Sequence, residues 1–468
     1  MKKPGLLLKT SLLYTLGSIL TRTLVFLATP VYIRFLSKAE YGSYSNFAAW
    51  MTIISMVSIM NLQVSVMRAK YDYEEDVFAY MKTICVVIFS FVAVIAFAFI
   101  TNLTWIQNLL RMSDFQVAFL LIYLFLSPGY VIYSAYYRAQ FESKKYLIVT
   151  AIYVISTVFV SLFLLMYTKN NKLNALIFGQ VFAPSILGLY FLIKIFVKPG
   201  RITFEMIKSS LKIGIPMIPH LLGGSILLRS DKIMITHLVG EVETAYYAVG
   251  SNVVAILTVL SNSLNNAFVP WLTMKLNEGN NQQEIRKNFV RQVSFFGVAV
   301  LGLLLVAPEI ILFMGGASYK KAVGTMVPLL LSSFFFHVYI LYMNLEVHEK
   351  KTTWIGIATI LAMCLNLILN YIFIPEYGFV AAAYTTLICY ILVFLFHIYI
   401  VRIIGMSEVY NNNMVFLSSI VLSLSGIIIK FLFPYMFVRY VVLGALTLIG
   451  VVLSFRNRDM IKKMFSHR

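Results

Sequence analysis

Three charged residues lie close together in an apolar stretch, LLRSDKIMI at 227–235, and their types suit anion binding. Arg229 and Lys232 are three positions apart, which places both on one face of a helix. Asp231 lies about 200° around the helix from Arg229 at 100° per residue, so it cannot readily neutralise that cation. Two neighbouring cations in a low-dielectric environment repel each other. They therefore need an anion from another helix, from water or from a substrate.

A further buried charge is predicted in the first apolar stretch of the chain. Arg22 lies at its midpoint, and Ser11, Thr15, Ser18 and Thr29 fall within about 60° of one another on the same helical stripe. A basic residue at membrane depth costs several kcal/mol, so its presence indicates a function. We predict that Arg22 and Ser18 line a cavity that binds substrate. The alternative is a structural ion pair with a neighbouring helix.

Two more stripes carry hydroxyls and amides at helical spacing. Their residues are Ser251, Thr258, Asn262 and Asn265 in one stretch, and Thr359, Asn366 and Asn370 in another. A cavity lined by such groups suits sugar hydroxyls, and we predict that the four asparagines contribute to it. The alternative is that these side chains form hydrogen bonds between helices, where small polar residues are common.

Three acidic residues are candidates for ion coupling. Asp231, Glu309 and Glu346 fall within or at the ends of apolar stretches, where a carboxylate can carry a proton or a sodium ion. We predict transport coupled to a proton or sodium gradient and no cofactor. The three cysteines are scattered singly through apolar stretches, which indicates neither a metal site nor a disulfide framework.

The elements that must position these residues are membrane helices. Of the 468 residues, 60% are hydrophobic and 12% are charged, compared with roughly 25% charged in a soluble domain. A bilayer core about 30 Å thick needs about 20 apolar helical residues. The sequence therefore predicts an all-α integral membrane protein whose first window is an uncleaved span. The fourteen predicted transmembrane helices are 11–35, 43–67, 83–104, 115–137, 146–168, 173–193, 211–237, 245–271, 289–313, 322–345, 353–374, 379–401, 413–430 and 435–454.

The net charge of +19 indicates topology rather than nucleic-acid binding, because the basic residues occur in small groups between apolar windows. The loops on the side of the termini carry 26 lysines and arginines, and the loops on the other side carry 8. Short cytoplasmic loops retain positive charge. Both termini are therefore predicted to be cytoplasmic.

An internal duplication is indicated by two matches of the chain with itself. FLSKAEYGSYS from Phe35 aligns with HLVGEVETAYY from His237, and FESKKYLIVTAIYVI from Phe141 aligns with HEKKTTWIGIATIL from His348. Both matches pair a span with the sixth span after it, so the halves share orientation and a pseudo-two-fold axis runs along the membrane normal. The predicted domains are an N-lobe at 1–200, a C-lobe at 201–405, and two further helices with a basic tail at 406–468. Prolines and glycines in the first and seventh spans predict bends.

A family resemblance is carried by one segment near the start of each predicted lobe. These segments are YIRFLSKAEYGSYSNF and RSDKIMITHLVGEVETAYYAVGSNVVAI. Together with fourteen spans, they resemble the Wzx-type polysaccharide flippases of the multidrug/oligosaccharidyl-lipid/polysaccharide superfamily. The resemblance implies a V-shaped bundle around a cationic cavity that Arg22, Arg229 and Lys232 face. It also implies alternating access that moves undecaprenyl-pyrophosphate-linked oligosaccharide to the outer leaflet of the bacterial cytoplasmic membrane. Polysaccharide polymerases and glycosyltransferases would then be partners.

Three other functions remain as alternatives. A flippase for the cell-wall precursor lipid II would use the same pyrophosphate and sugar chemistry. A drug or sodium antiporter of the superfamily would be expected to carry a buried carboxylate in its N-lobe, whereas every acidic residue of 1–200 lies at a span boundary or in a loop. A glycosyltransferase or polymerase lacks room for a catalytic domain, because inter-span segments do not exceed about twenty residues, and no nucleophile or phosphate-binding motif is present. The sequence therefore predicts a transporter rather than an enzyme.

Overall fold

A bundle of long helices forms the described part of the protein, which in this computed structural model comprises residues 4–73, 76–279 and 281–456. Three short 3₁₀ segments, Leu62–Val64, Ile215–Met217 and Ala317–Thr325, connect some of the helices. The helices of the described residues are α1 (Pro4–Phe35), α2 (Lys38–Ile59), α3 (Ser65–Asp72), α4 (Val77–Thr101), α5 (Leu103–Leu110), α6 (Asp114–Ala139), α7 (Ser143–Tyr167), α8 (Lys172–Val197), α9 (Phe204–Gly214), α10 (Ile218–Leu238), α11 (Glu241–Glu278), α12 (Gln282–Leu305), α13 (Ala307–Gly315), α14 (Met326–His348), α15 (Thr353–Tyr377), α16 (Phe379–Ile403), α17 (Asn412–Leu432) and α18 (Met436–Arg456).

The apolar helices agree with the predicted spans. Among the described residues, ten helices are long and apolar enough to cross a membrane, and two bent pairs raise this number to twelve. Two shorter apolar segments, Thr23–Phe35 in α1 and Met436–Leu448 in α18, correspond to the first and last predicted windows. The prediction of an all-α multi-pass membrane protein with about fourteen spans is confirmed.

Two broken spans distinguish the structure from a bundle of straight helices. Lys38–Ile59 and Leu62–Asp72 meet at 56°, and the break contains Met60 and Asn61 at positive φ. Phe204–Met217 and Leu221–Leu238 meet at 50°. Pro216 and Pro219 lie in this second break and remove backbone donors there, as the sequence predicts. α1, in contrast, continues through Pro30.

The ninth predicted window, 289–313, extends too far. α12 ends at Leu305, and a separate helix begins at Ala307. Pro308 lies in the first turn of that helix, and its ring would clash with the carbonyl four residues earlier if α12 continued. Hydropathy alone does not detect this break, because both segments are apolar.

The same helix pairs pack in both halves of the chain. α1 packs on α7, α6 on α8, and α7 on α8; six spans later, α10 packs on α15, α14 on α16, and α15 on α16. One hydrophobic core is formed by residues between Phe47 and Met206, and a second lies mostly between Leu227 and Ile429. This repetition is what a duplication of six spans produces. The domain boundaries at 200 and 405 stay a prediction.

The two C-terminal helices pack on the second half. α17 contacts α12 and α14, and α18 contacts α12. Arg439 of α18 is 2% exposed and donates to both carboxylate oxygens of Glu309, at 2.7 and 2.5 Å, and also to the carbonyl of Leu305. A planar guanidinium that binds a carboxylate through two nitrogens fixes geometry as well as charge. Arg439 therefore holds α18 against the end of α12, through Leu305, and against the start of α13, through Glu309.

Candidate functional site

A cavity of about 340 Å³ lies between the two halves of the chain, near the middle of the bundle. α2 contributes one wall, and α10, α14, α15 and α16 contribute the others. The lining residues on which the site depends are Thr52, Met56, Ser225, Arg229, Phe336, Tyr339, Thr359 and Tyr390. Its volume is at the lower end of the range for small-molecule sites. The walls are largely apolar and aromatic, and among the described lining residues one is charged.

Arg229 supplies that charge, and it is half-buried in the cavity wall. The break in the seventh span lies at the start of α10, so the helix that carries Arg229 is set at an angle to the preceding segment. Lys232, also half-buried, lies one turn further along α10 and is not part of the lining. The structure therefore places one of the two predicted cations in the cavity wall and the other beside it.

Asp231 points away from the cavity into the second lobe, where it is 3% exposed. Asn370 donates to its Oδ1 at 2.7 Å, Thr386 donates to its Oδ2 at 2.8 Å, and Tyr247 donates to the same Oδ2. Asp231 thus contacts three neighbouring helices, because these partners lie on α15, α16 and α11. Its role in ion coupling stays a prediction. These three hydrogen bonds partly offset the cost of burying the carboxylate.

The two asparagines of α15 complete this cluster rather than line the cavity. Asn366 and Asn370 are both fully buried. Asn370 donates to the Asn366 side-chain oxygen at 3.1 Å, and Ser230 donates to the same oxygen at 3.2 Å. Thr385 donates to the Asn370 oxygen. The predicted cavity role of these two asparagines is corrected, since their amides are taken up by the Asp231 cluster.

The other predicted polar residues are dispersed. Asn265 on α11 accepts a hydrogen bond from Asn344 on α14 at 2.8 Å, which is the helix-to-helix alternative. Asn262 is half-buried on the same helix, outside the cavity lining. The side chains of Ser18 and Arg22 lie outside the described residues, so their cavity role stays a prediction.

Two of the three candidate ion carriers already have charged or titratable partners. Glu309 binds Arg439, and Glu346 lies 2.5 Å from His397 Nδ1. The partners Arg439 and His397 were not identified from the sequence, because each lies more than fifty positions away. No pattern of spacing along the chain predicts such contacts. Asp231 differs from both, since its partners are neutral hydroxyls and an amide.

The two lobes meet at the end of the bundle where α1 ends and α2 begins, which we call the far end. Lys38 donates to the Tyr246 hydroxyl at 3.1 Å, and Asn252 donates to the Tyr41 hydroxyl at 2.9 Å. A Cβ on Gly42 would lie 1.8 Å from the carbonyl oxygen of Glu241. Only glycine permits so close a helix contact. The paired motifs of the duplication thus pack against each other and close this end.

The lobes also meet at the opposite end, where α1 begins, which we call the terminal end. Here the two breaks contact each other: Asn61 lies 3.7 Å from the sulfur of Met217, and a Cβ on Gly214 would lie 2.7 Å from the Met60 carbonyl. The cavity is therefore bounded by contacts between the lobes at both ends. The far-end contact joins continuous helices, whereas the terminal-end contact joins two helix breaks.

Known proteins with solved structures share this fold. A lipid II flippase MurJ in an inward closed conformation superposes with a TM-score of 0.74 at 15% identity, covering 96% of this chain and 100% of that one. An inward-facing multidrug resistance MATE family transporter of the MOP superfamily superposes with a TM-score of 0.63 at 13% identity, covering 83% and 96%. The first of these proteins is a flippase and the second is a transporter, and neither is an enzyme. This agrees with the prediction from the sequence that the chain is a transporter rather than an enzyme.

Two sequence comparisons lead to the family. An uncharacterized membrane protein of Haemophilus influenzae is 22% identical over 373 residues, which are 77% of this chain and 89% of that protein. The family model described as polysaccharide biosynthesis protein matches residues 7–276, more than half of the chain. The protein is thus a multi-pass membrane protein with the fold of the MOP superfamily, and the chain belongs to the polysaccharide biosynthesis protein family.

Proposed function

We propose that the protein is a flippase for undecaprenyl-pyrophosphate-linked oligosaccharide repeat units, which it moves from the cytoplasmic to the outer leaflet of the bacterial cytoplasmic membrane. The hydrophilic headgroup occupies the cavity between the lobes while the polyprenyl tail stays in lipid. The family match to polysaccharide biosynthesis proteins and the flippase fold support this substrate class.

The observation that carries the proposal is Arg229 in the wall of the inter-lobe cavity. A guanidinium binds a phosphate through two parallel hydrogen bonds and stays charged throughout the physiological range. The rings of Phe336, Tyr339 and Tyr390 offer flat apolar faces for sugar rings, and Thr52 and Thr359 offer hydroxyls. Lys232, one turn away, extends the cationic path towards the far end, and Arg22 is proposed to extend it along α1.

Alternating access follows from the two inter-lobe contacts. With both ends in contact, a cavity of about 340 Å³ holds only part of an oligosaccharide headgroup, so one end must open to admit it. The terminal end, proposed to be cytoplasmic, opens at its two helix breaks, and the far end opens by separation of α2 from α11. Breaks and hinges are the usual sites that absorb such domain motions.

Ion coupling is proposed to occur at Asp231. A proton or sodium ion at this carboxylate would displace hydrogen bonds that it now accepts, and the hydroxyl oxygens of Thr386 and Tyr247 would then lie beside the ion. Oxygen ligands suit hard cations. Because Asp231 and Arg229 lie two positions apart on α10, occupation of the carboxylate and binding at the cavity wall affect the same helix.

Lipid II is the second candidate substrate, and the similarity in fold to MurJ favours it. Its headgroup also joins a pyrophosphate to sugars, but it carries a peptide. The two candidates are distinguished by binding of each lipid to the purified protein, measured by native mass spectrometry with an undecaprenyl phosphate control. We expect undecaprenyl-pyrophosphate-linked oligosaccharide to displace lipid II from the purified protein when both lipids are present. Preferential retention of lipid II would replace the proposed substrate, and binding of neither would reject both.

A further inference from the structure

A carboxyl and an imidazole lie in direct contact inside the second lobe, away from the cavity. Glu346 on α14 is 0% exposed, and His397 on α16 is 1% exposed. The Oε1 atom of Glu346 lies 2.5 Å from Nδ1 of His397. α14 and α16 pack along their length, so the contact joins two helices that both line the cavity. Charged side chains are almost never buried this completely unless they are paired.

The Glu346–His397 pair is incompletely satisfied. The second carboxylate oxygen of Glu346, Oε2, is buried without a hydrogen-bond partner among the described residues. An ionised glutamate beside a neutral histidine carries a net charge of −1, which is costly in a low-dielectric interior. Addition of one proton produces an imidazolium beside a carboxylate, with no net charge. A single added proton therefore removes the net charge of the pair.

Other charged or titratable groups also lie on the surrounding helices. The nearest along the helices packed on the pair are Tyr339, Tyr342 and His348 on α14, Tyr390, Tyr399 and Arg402 on α16, Lys350 and Lys351 before α15, Glu408 and Tyr410 before α17, Lys275 on α11, and Glu284, Arg286 and Arg291 on α12. His348 faces Glu349 at 4.0 Å, and Lys275 binds Glu278 and Glu284. Within the described part of the chain, neither Glu346 nor His397 has another group of opposite charge within 4.0 Å.

The pair lies between the cavity and the terminal end. Glu346 is two residues before the end of α14, which is about 3 Å at 1.5 Å per residue. Two turns earlier on α14, Tyr339 lines the cavity and stacks on the His397 ring, with centroids 5.5 Å apart and planes 11° apart. Tyr339 also stacks on Tyr390, another lining residue, at 6.0 Å and 12°. A continuous stack of three rings therefore runs from the pair to the cavity wall.

We infer that Glu346 and His397 form a proton-binding site whose occupancy changes the central cavity through Tyr339. The ligand is one proton, which binds without formation or cleavage of any other bond. Its loss leaves a net charge inside the lobe, and the contact between α14 and α16 must then rearrange or admit water. Because Tyr339 stacks on the His397 ring, that rearrangement displaces a wall of the cavity. The inference rests on the proposed function only in taking this cavity as the transport path.

The test measures cavity accessibility without any substrate. Ser225→Cys, in the cavity wall, is introduced into a cysteine-free full-length protein in nanodiscs, and its labelling by a water-soluble thiol reagent is followed from pH 5 to pH 8. The same reporter is measured in Glu346→Gln. The ratio of the two rates at each pH cancels the intrinsic pH dependence of the thiol. We expect this ratio to change by at least about fivefold across the range, the lower end of typical coupling.

Two further variants make the result decisive. Glu376→Gln removes an exposed carboxyl at the far end of α15, and its ratio to the parent should stay constant. The ratio of the parent rate to the rate of His397→Gln should change with pH as the ratio for Glu346→Gln does, and His397→Gln replaces Glu346→Gln if the latter is not recovered folded. A constant ratio for both pair variants would overturn the inference and leave the pair as a clamp between helices. The result is independent of substrate identity, so failure of the proposed function is distinguished from failure of this site.

Discussion

Gly42 offers a direct test of the far-end contact as a gate. A Cβ at this position would lie 1.8 Å from the Glu241 carbonyl oxygen, whereas distances under 3.0 Å are essentially never observed. Gly42→Ala must therefore separate α2 from α11 by about 1.2 Å or more at this point, the difference between these two distances. Overpacking of this kind costs about 1–3 kcal/mol. The closed far end should lose about 5- to 150-fold in population relative to the open one.

The population change is measurable as a distance between the lobes. Spin labels at exposed Asn108 and Lys320, one in each half at the far end, report separation by pulsed electron paramagnetic resonance in a cysteine-free background. Gly356→Ala is the matched control, because a Cβ there meets nothing within 4 Å. The control gains the same helix propensity of about 1 kcal/mol without a clash. Gly42→Ala should add a population at longer distance, and a distribution identical to that of the control would refute the gate.

Three further predictions concern the charged residues. Arg229→Gln and Lys232→Gln should each weaken export less than the double variant, because each single change also relieves repulsion between the two cations. Export is measured as polysaccharide at the cell surface. A double variant that exports as well as either single variant would contradict a substrate path shared by the two cations. Asp231→Asn should lower the free energy of unfolding by about 1–3 kcal/mol, because its new amide group faces hydrogen-bond donors. It should also weaken the dependence of transport on an ion gradient. Unchanged thermal unfolding would argue against the hydrogen-bonded cluster. Reporter fusions after Lys145 should read cytoplasmic and fusions after Lys321 external; the same reading at both sites would reject the predicted orientation.

The spans could be predicted because hydropathy and length are local properties of the chain. All fourteen windows fall on apolar helices, and Pro216 and Pro219 mark a real break. The break after Leu305 was missed, because the residues on both sides are apolar and only Pro308 signals it. Local patterns thus locate helices well and locate breaks only where a proline is recognised.

The candidate site could be predicted only in part, because helical periodicity groups residues on one face without identifying what that face contacts. Asn366 and Asn370 share a face as predicted, but that face meets Asp231 rather than the cavity. Arg229 was identified because a charge in an apolar stretch is conspicuous. The partner of Glu346, His397, could not be identified, since only the packing of α14 on α16 brings the two together.

The most direct test of the proposed function is transport of a lipid-linked oligosaccharide by the purified protein in sealed vesicles. Undecaprenyl-pyrophosphate oligosaccharide is placed in one leaflet, and a glycan-cleaving enzyme added outside measures how much reaches the other. We expect the wild-type protein and Arg34→Gln, a change at an exposed arginine at the far end of α1, to flip the lipid, and Arg229→Gln to lose most of the rate through loss of a charge-assisted contact worth about 1.5–3 kcal/mol. Equal rates for Arg229→Gln and the wild-type protein, or no flipping by the wild-type protein under an imposed proton or sodium gradient, would contradict the proposal.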